Sequence, residues 1–109
     1  MTFHQVFSEK NTQTEVFNKC GVRELIDHTL DGYATTVFTY GQTGSGKTYT
    51  LTGPEGVQLN QENAGLMQRS LAYLYEEIMR RPNSTMIVRA SYVEIYNENV
   101  SDALIHRSS

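Results

Sequence analysis

Residues 41 to 48 read Gly41-Gln42-Thr43-Gly44-Ser45-Gly46-Lys47-Thr48, a G-x-x-x-x-G-K-[ST] string. It constrains the fold more than any other stretch, because it works only with a strand before it and a helix after it. The chemistry explains each fixed position. A polyphosphate packs several negative charges into a small volume and needs many donors at close range. Gly41 and Gly46 let the backbone wrap without Cβ clashes, so that successive N–H groups point inward as an anion nest. A helix starting near Gly46 adds unpaired N–H groups and the positive end of its dipole. Lys47 is placed to reach the outer phosphates, and the Thr48 hydroxyl to take a position on Mg²⁺. The preceding run Ala34-Thr35-Thr36-Val37-Phe38-Thr39-Tyr40 is β-branched and aromatic, as a buried strand should be.

The rest of the chain fits one α/β domain. Its 109 residues suffice for one domain at most. Phe3-His4-Gln5-Val6-Phe7 alternates apolar and polar residues and predicts a short strand. Thr12 and Glu15 are spaced as a capping box. They open a helix with Val16, Cys20, Leu25 and Ile26 facing inward, which Gly32 stops. Residues 53 to 63 carry the Pro, Gly and amide content of an exposed loop. From about Ala64 to Arg81 a second long helix is predicted. Its stripe of Met67, Leu71, Leu74 and Ile78 reads as core packing, and Pro82-Asn83 ends it. Thr85 to about Tyr96 reads as a long strand. Alternating strands and helices around such a loop predict a mainly parallel sheet flanked by helices.

Composition excludes several functions. A net charge of −3 with scattered basic residues argues against a nucleic-acid binder, and Arg80-Arg81 reads as favourable charge at a helix C-terminus. Cys20, the single cysteine, permits no internal disulfide and fits a reducing compartment. Within an apolar helical face it reads as a small hydrophobe. There is no stretch of membrane-spanning length and no basic-then-apolar leader, so the chain reads as soluble and intracellular. His4, His28 and His106 have no partners at metal or triad spacing, and surface or local roles are expected for them.

The residues around the loop carry a family resemblance. Phe38 through Thr50, with Gly41-Gln42-Thr43-Gly44-Ser45-Gly46-Lys47-Thr48 inside it, resembles the phosphate loop of kinesin motor domains. Phe3 to Phe7 resembles the strand before the first helix of the motor. Asp31-Gly32-Tyr33-Ala34-Thr35-Thr36-Val37-Phe38 resembles the G-Y-N-G-T-I-F approach. Ser91-Tyr92-Val93-Glu94-Ile95-Tyr96-Asn97-Glu98 resembles the S-x-x-E-I-Y-N-E segment. Four matches in the family's order span nearly the whole chain.

The resemblance implies a P-loop NTPase fold of kinesin type, with ATP and Mg²⁺ as cofactors. Gly41, Gln42, Thr43, Gly44, Ser45, Gly46, Lys47 and Thr48 would hold the phosphates, Thr48 would ligate the metal, and Tyr49 would flank adenine. The plainer reading of Tyr49 is an aromatic packed beside the loop. No catalytic residue is assigned: Glu94, Tyr96, Asn97 and Glu98 read as a strand end, a turn and solvated charge. Leu51 stands where the family usually has Met. Ala64-Gly65-Leu66-Met67-Gln68-Arg69 replaces a pattern with a helix-opening proline. Asp102-Ala103-Leu104 replaces Asp-Leu-Leu, and 105–109 does not continue the pattern.

The family's switch strings, N-x-x-S-S-R and D-L-A-G-S-E, do not occur, nor does the R-x-R-P segment that closes over adenine. Residues 1–109 are therefore expected to be an incomplete N-terminal portion of a motor domain, inactive as an ATPase alone. The resemblance places microtubule contact, and a coiled coil for homodimerisation, outside this chain. It implies a cytoplasmic, microtubule-associated protein without nucleic-acid or membrane partners. In that fold the present strands take their neighbours from later segments, so open edges are expected here. The alternative is a truncated nucleotide-binding or protein-interaction module that never hydrolyses ATP.

Overall fold

The computed structural model describes residues 2–102; His106, Ala103, Leu104 and the terminal run 105–109 discussed above lie outside them. Four helices come first, α1 (Gln13–Lys19), α2 (Val22–Leu30), α3 (Lys47–Thr52) and α4 (Leu66–Met79). A hairpin of β1 (Val93–Tyr96) and β2 (Asn99–Asp102) follows.

The α1 N-terminus forms as its sequence dictates. The Glu15 amide donates to Thr12 Oγ1 at 3.2 Å, and Thr12 N–H donates to Glu15 Oε2 at 3.1 Å. Asn11 Nδ2 adds a 2.8 Å bond to the same carboxylate. The single helix expected to run on to Gly32 is instead two. Gly21 adopts φ +88°, a left-handed conformation that glycine alone takes without penalty, and the chain turns there between α1 and α2. The turn swings α2 around so that Val22 meets Phe17.

Phe17, Val22 and Leu66 are the buried apolar core, with Val16, Cys20, Ile26 and Tyr73 packed against it. Cys20 is half-buried there, its thiol 3.7 Å from Phe17 O. Tyr73 crosses the junction: its ring meets Phe17 edge-on at 6.3 Å, and its hydroxyl donates to Asp27 Oδ1 at 2.9 Å. The Arg23 guanidinium lies over both rings, 5.3 Å and 5.6 Å from their centroids. At the far end Arg81 joins α4 to α2 through Asp31 at 3.2 Å. None of the expected α4 stripe, Met67, Leu71, Leu74 and Ile78, belongs to the buried core. Leu66 and Tyr73 face the core, whereas Met67, Leu71 and Leu74 line an open cleft of about 320 Å³ with Leu25, Ile26 and Val37. Among the described residues no helix is long and apolar enough to cross a membrane.

The sheet shows the open edges expected of these runs, but not the parallel sheet expected of the fold class. Among the described residues the only ladder is antiparallel, pairing Tyr96 with Asn99 and Val93 with Asp102. No parallel sheet forms: 3–7, 34–40 and 85–92 form no ladder. Phe38 and Tyr40 are 73% and 77% exposed. Residues that make a good strand still need a neighbouring strand, and here 3–7 and 34–40 join no ladder. The long strand expected from Thr85 shortens to β1. Asn97 and Glu98, at φ +48° and +64°, make the two-residue turn whose twist suits a hairpin.

α3 and α4 meet through Gly65. A Cβ there would lie 2.5 Å from Leu51 O and 2.6 Å from Thr52 N. Gly65→Ala is therefore expected to destabilise the chain by about 1–3 kcal/mol, as overpacking does, in a urea titration. A second prediction concerns pH. The bonds from Asn11 and then Thr12 hold the Glu15 carboxyl below its ordinary 4.5. A depressed folded value means the carboxylate's contribution is full above 4.5 and is lost as pH falls through the folded value. An acid titration of the helical circular dichroism signal should show this loss in wild type and not in Glu15→Gln.

Candidate functional site

The approach to the glycine loop is fixed at its beginning. Tyr33 N–H donates to His28 O at 3.0 Å, and the two rings meet edge-on at 5.9 Å, the local structural role expected for His28. The Thr29 and Thr35 hydroxyls bond to one another, tying α2 to the extended run. The loop then closes on itself through Ser45 N–H to Gln42 O at 3.2 Å. Gly46, at φ +92°, turns the backbone into α3, whose first helical bond runs from Thr50 N–H to Gly46 O at 2.9 Å.

No side chain caps the α3 N-terminus. Its first-turn N–H groups, which a helix cannot satisfy internally, therefore face the loop. Thr43, Gly44, Gly46, Lys47, Thr48 and Tyr49 line an open cleft of about 480 Å³ beside that terminus. Gly41, Gln42 and Ser45, grouped with them by sequence, do not line it. Gly41 supplies the carbonyl on which the Lys47 amine rests.

Three lining residues were not anticipated: Gly53, Pro54 and Glu55, where the chain doubles back after α3. The Gly-Pro pair directly after so short a helix is the signal that could have found them. Glu55 is the one carboxylate among the lining residues and opposes Lys47 in charge. The Tyr49 ring is 53% exposed, an aromatic face open for stacking. Among the described residues no group of His, Cys, Asp and Glu is arranged to hold a metal by itself.

This donor set suits a phosphate chain. It offers a flexible ammonium, backbone N–H groups at a helix start and the Thr48 hydroxyl beside them. A metal here would need most of its ligands from the phosphates and water, the usual arrangement for Mg²⁺.

Two other residues reach α3 from outside the loop. Gln13 Nε2 donates to Tyr49 O at 2.7 Å, and Gln68 Nε2 donates to Thr52 O at 3.0 Å. No pattern in the sequence singles them out, since a glutamine near a helix start reads as solvated.

Comparison with known proteins agrees with the loop. A kinesin motor domain family model matches residues 1–109. Kinesin-like protein KIF12 of Mus musculus is 49% identical over 106 residues, covering 94% of this chain and 16% of that protein. Kinesin-like protein KIN-14O of Arabidopsis thaliana is 46% identical over 103 residues, covering 94% of this chain and 9% of its own length. Among solved structures, the Drosophila kinesin family member Kin10/NOD in complex with divalent manganese and ADP superposes with a TM-score of 0.77 at 32% identity. That match covers 94% of this chain and 36% of NOD. NOD has also been docked with bovine tubulin into a map of its microtubule complex, and that NOD chain matches with a TM-score of 0.76. This chain thus spans about a sixth of its mouse relative and about a third of the NOD chain. Loop, fold and family match agree, and the chain belongs to the kinesin motor domain family.

Proposed function

We propose that residues 1–109 are the nucleotide-phosphate-binding part of an ATP-dependent microtubule motor, which in a longer chain couples ATP hydrolysis to movement. The observation that carries this reading is the cleft at the α3 N-terminus, where Lys47, Thr48 and a glycine loop converge in a kinesin-family chain. On this reading Gly41 to Gly46 shape the nest and their N–H groups take phosphate oxygens. Lys47 reaches the β- and γ-phosphates, Thr48 holds Mg²⁺, and Tyr49 flanks the adenine. The bound Mg²⁺ would neutralise charge developing on the phosphates. Binding of ADP and a divalent metal by NOD supports the cofactor assignment, and the NOD–microtubule complex supports the partner.

The described residues supply binding and orientation. Hydrolysis is assigned to switch segments of a longer chain, because neither switch string occurs in these 109 residues. Track contact and any dimerising coiled coil are assigned there too, in a microtubule-associated, cytoplasmic protein.

The test is nucleotide titration and steady-state turnover of the full-length protein, with and without microtubules. Wild type is expected to bind Mg·ATP and to turn over faster on microtubules. Lys47→Ala removes a charge-assisted bond and should weaken binding by about ten- to a hundredfold. Mg·ATP binding that microtubules leave uncoupled from turnover would favour the non-hydrolysing module instead. Binding unaffected by Lys47→Ala would overturn the site.

A further inference from the structure

α3 is anomalous in how it is held. It has six residues, too few to be stable alone, and none of them is buried. Apolar burial therefore does little to fix the helix that carries Lys47 and Thr48. What reaches it are two amides from helices anchored in the core. Gln13, 5% exposed, stands one turn before Phe17 on α1, and donates to Tyr49 O at 2.7 Å. Gln68 stands two residues after Leu66 on α4. It accepts Gly65 N–H on Oε1 at 3.1 Å and donates from Nε2 to Thr52 O at 3.0 Å. Only this orientation of its amide serves both groups. Both acceptors are among the last four carbonyls of α3, at its electron-rich end; Thr52 O lies beyond the internal donors, and Tyr49 O also accepts Gly53 N–H at 2.9 Å.

We propose that Gln13 and Gln68 are positioning residues for the nucleotide site, clamping α3 by its C-terminal carbonyls so that its N-terminal donors stay aimed at the cleft. The proposal rests on the nucleotide-binding reading above. The clamp is polar, neutral and confined to one end. A cation there would compete with Lys47 for the phosphates, and a carboxylate would repel the carbonyls. An amide holds the helix without changing the charge of the site. Because both glutamines grow from the Phe17–Val22–Leu66 junction, the core transmits its rigidity to the loop through two hydrogen bonds.

Two variants of the full-length protein separate the clamp from packing. Gln13→Met keeps the buried length and removes the donor. Gln68→Glu keeps the acceptor for Gly65 N–H and removes the donor to Thr52 O. The first readout is hydrogen exchange without nucleotide, expected to speed up at the Thr50 and Gly53 amides while α4 amides such as those of Ala72 and Tyr73 keep their protection. The second is affinity for a fluorescent-ribose ADP analogue with Mg²⁺, expected to weaken about fivefold in Gln13→Met, as the loss of one hydrogen bond implies, and by more in Gln68→Glu, whose carboxylate also repels Thr52 O. Unchanged exchange in α3 overturns the clamp. Faster exchange with unchanged affinity overturns its role in nucleotide positioning. Equal loss of protection in α1, α3 and α4 would show that the glutamines serve only general stability. A wild-type protein that does not bind the analogue removes the nucleotide reading, while the exchange result still decides whether the two amides hold α3.

Discussion

The junction of Phe17, Val22 and Leu66 is what the rest of the structure hangs from. It is small, three buried apolar residues where α1, α2 and α4 meet. Its strength comes from its edges as much as its centre. Tyr73 spans it, with its hydroxyl satisfied by Asp27, and the flat Arg23 guanidinium covers both rings while its charge stays in water. The candidate site is reached from here by short steps along a helix: back one turn to Gln13, forward two residues to Gln68, and across Gly65 to α3.

The extended runs obey the opposite logic. A parallel strand is buried on both faces and reads as a continuous apolar run, which is why Thr36 to Tyr40 and Met86 to Val88 look like strands in the sequence. Burial on both faces requires neighbours on both sides, and these runs have none. The radius of gyration, 15.7 Å, exceeds the roughly 13 Å of a compact chain this long. The apolar cleft beside Val37 and the exposed Phe38 and Tyr40 are the same fact seen from the side. Among the described residues the helices pack on one another locally, while 34–40 joins no ladder.

That division also sets what the sequence made legible. Features decided within a few residues were readable: the Thr12–Glu15 box, the glycine loop and α3 after it, and the stop of α4 before Pro82. Features decided by partners distant in sequence were not. The break at Gly21, by contrast, is local: its left-handed backbone turns the chain between α1 and α2, and the periodic apolar positions on either side masked it. The hairpin was hidden because Asn97 and Glu98 both take left-handed backbone, which asparagine adopts readily and glutamate seldom does. Of the residues grouped by the loop motif, Thr43, Gly44, Gly46, Lys47, Thr48 and Tyr49 line the cleft, which closes through Gly53, Pro54 and Glu55 outside the motif.

The resting position of Lys47 shows how these pieces would act together. Its ammonium lies on the Gly41 carbonyl, a neutral partner within its own loop. The resting bond is already charge-assisted through the ammonium, and a phosphate oxygen in the cleft would add the attraction of opposite charges. The exchange favours the ligand only if α3 stays still while the amine moves. A helix free to follow its lysine would carry the N-terminal donors away from the phosphates they must meet. With Gln13 and Gln68 fixing the far end of α3, the side chain is the part that moves, and the energy of the new ion pair goes into binding instead of into reordering the loop.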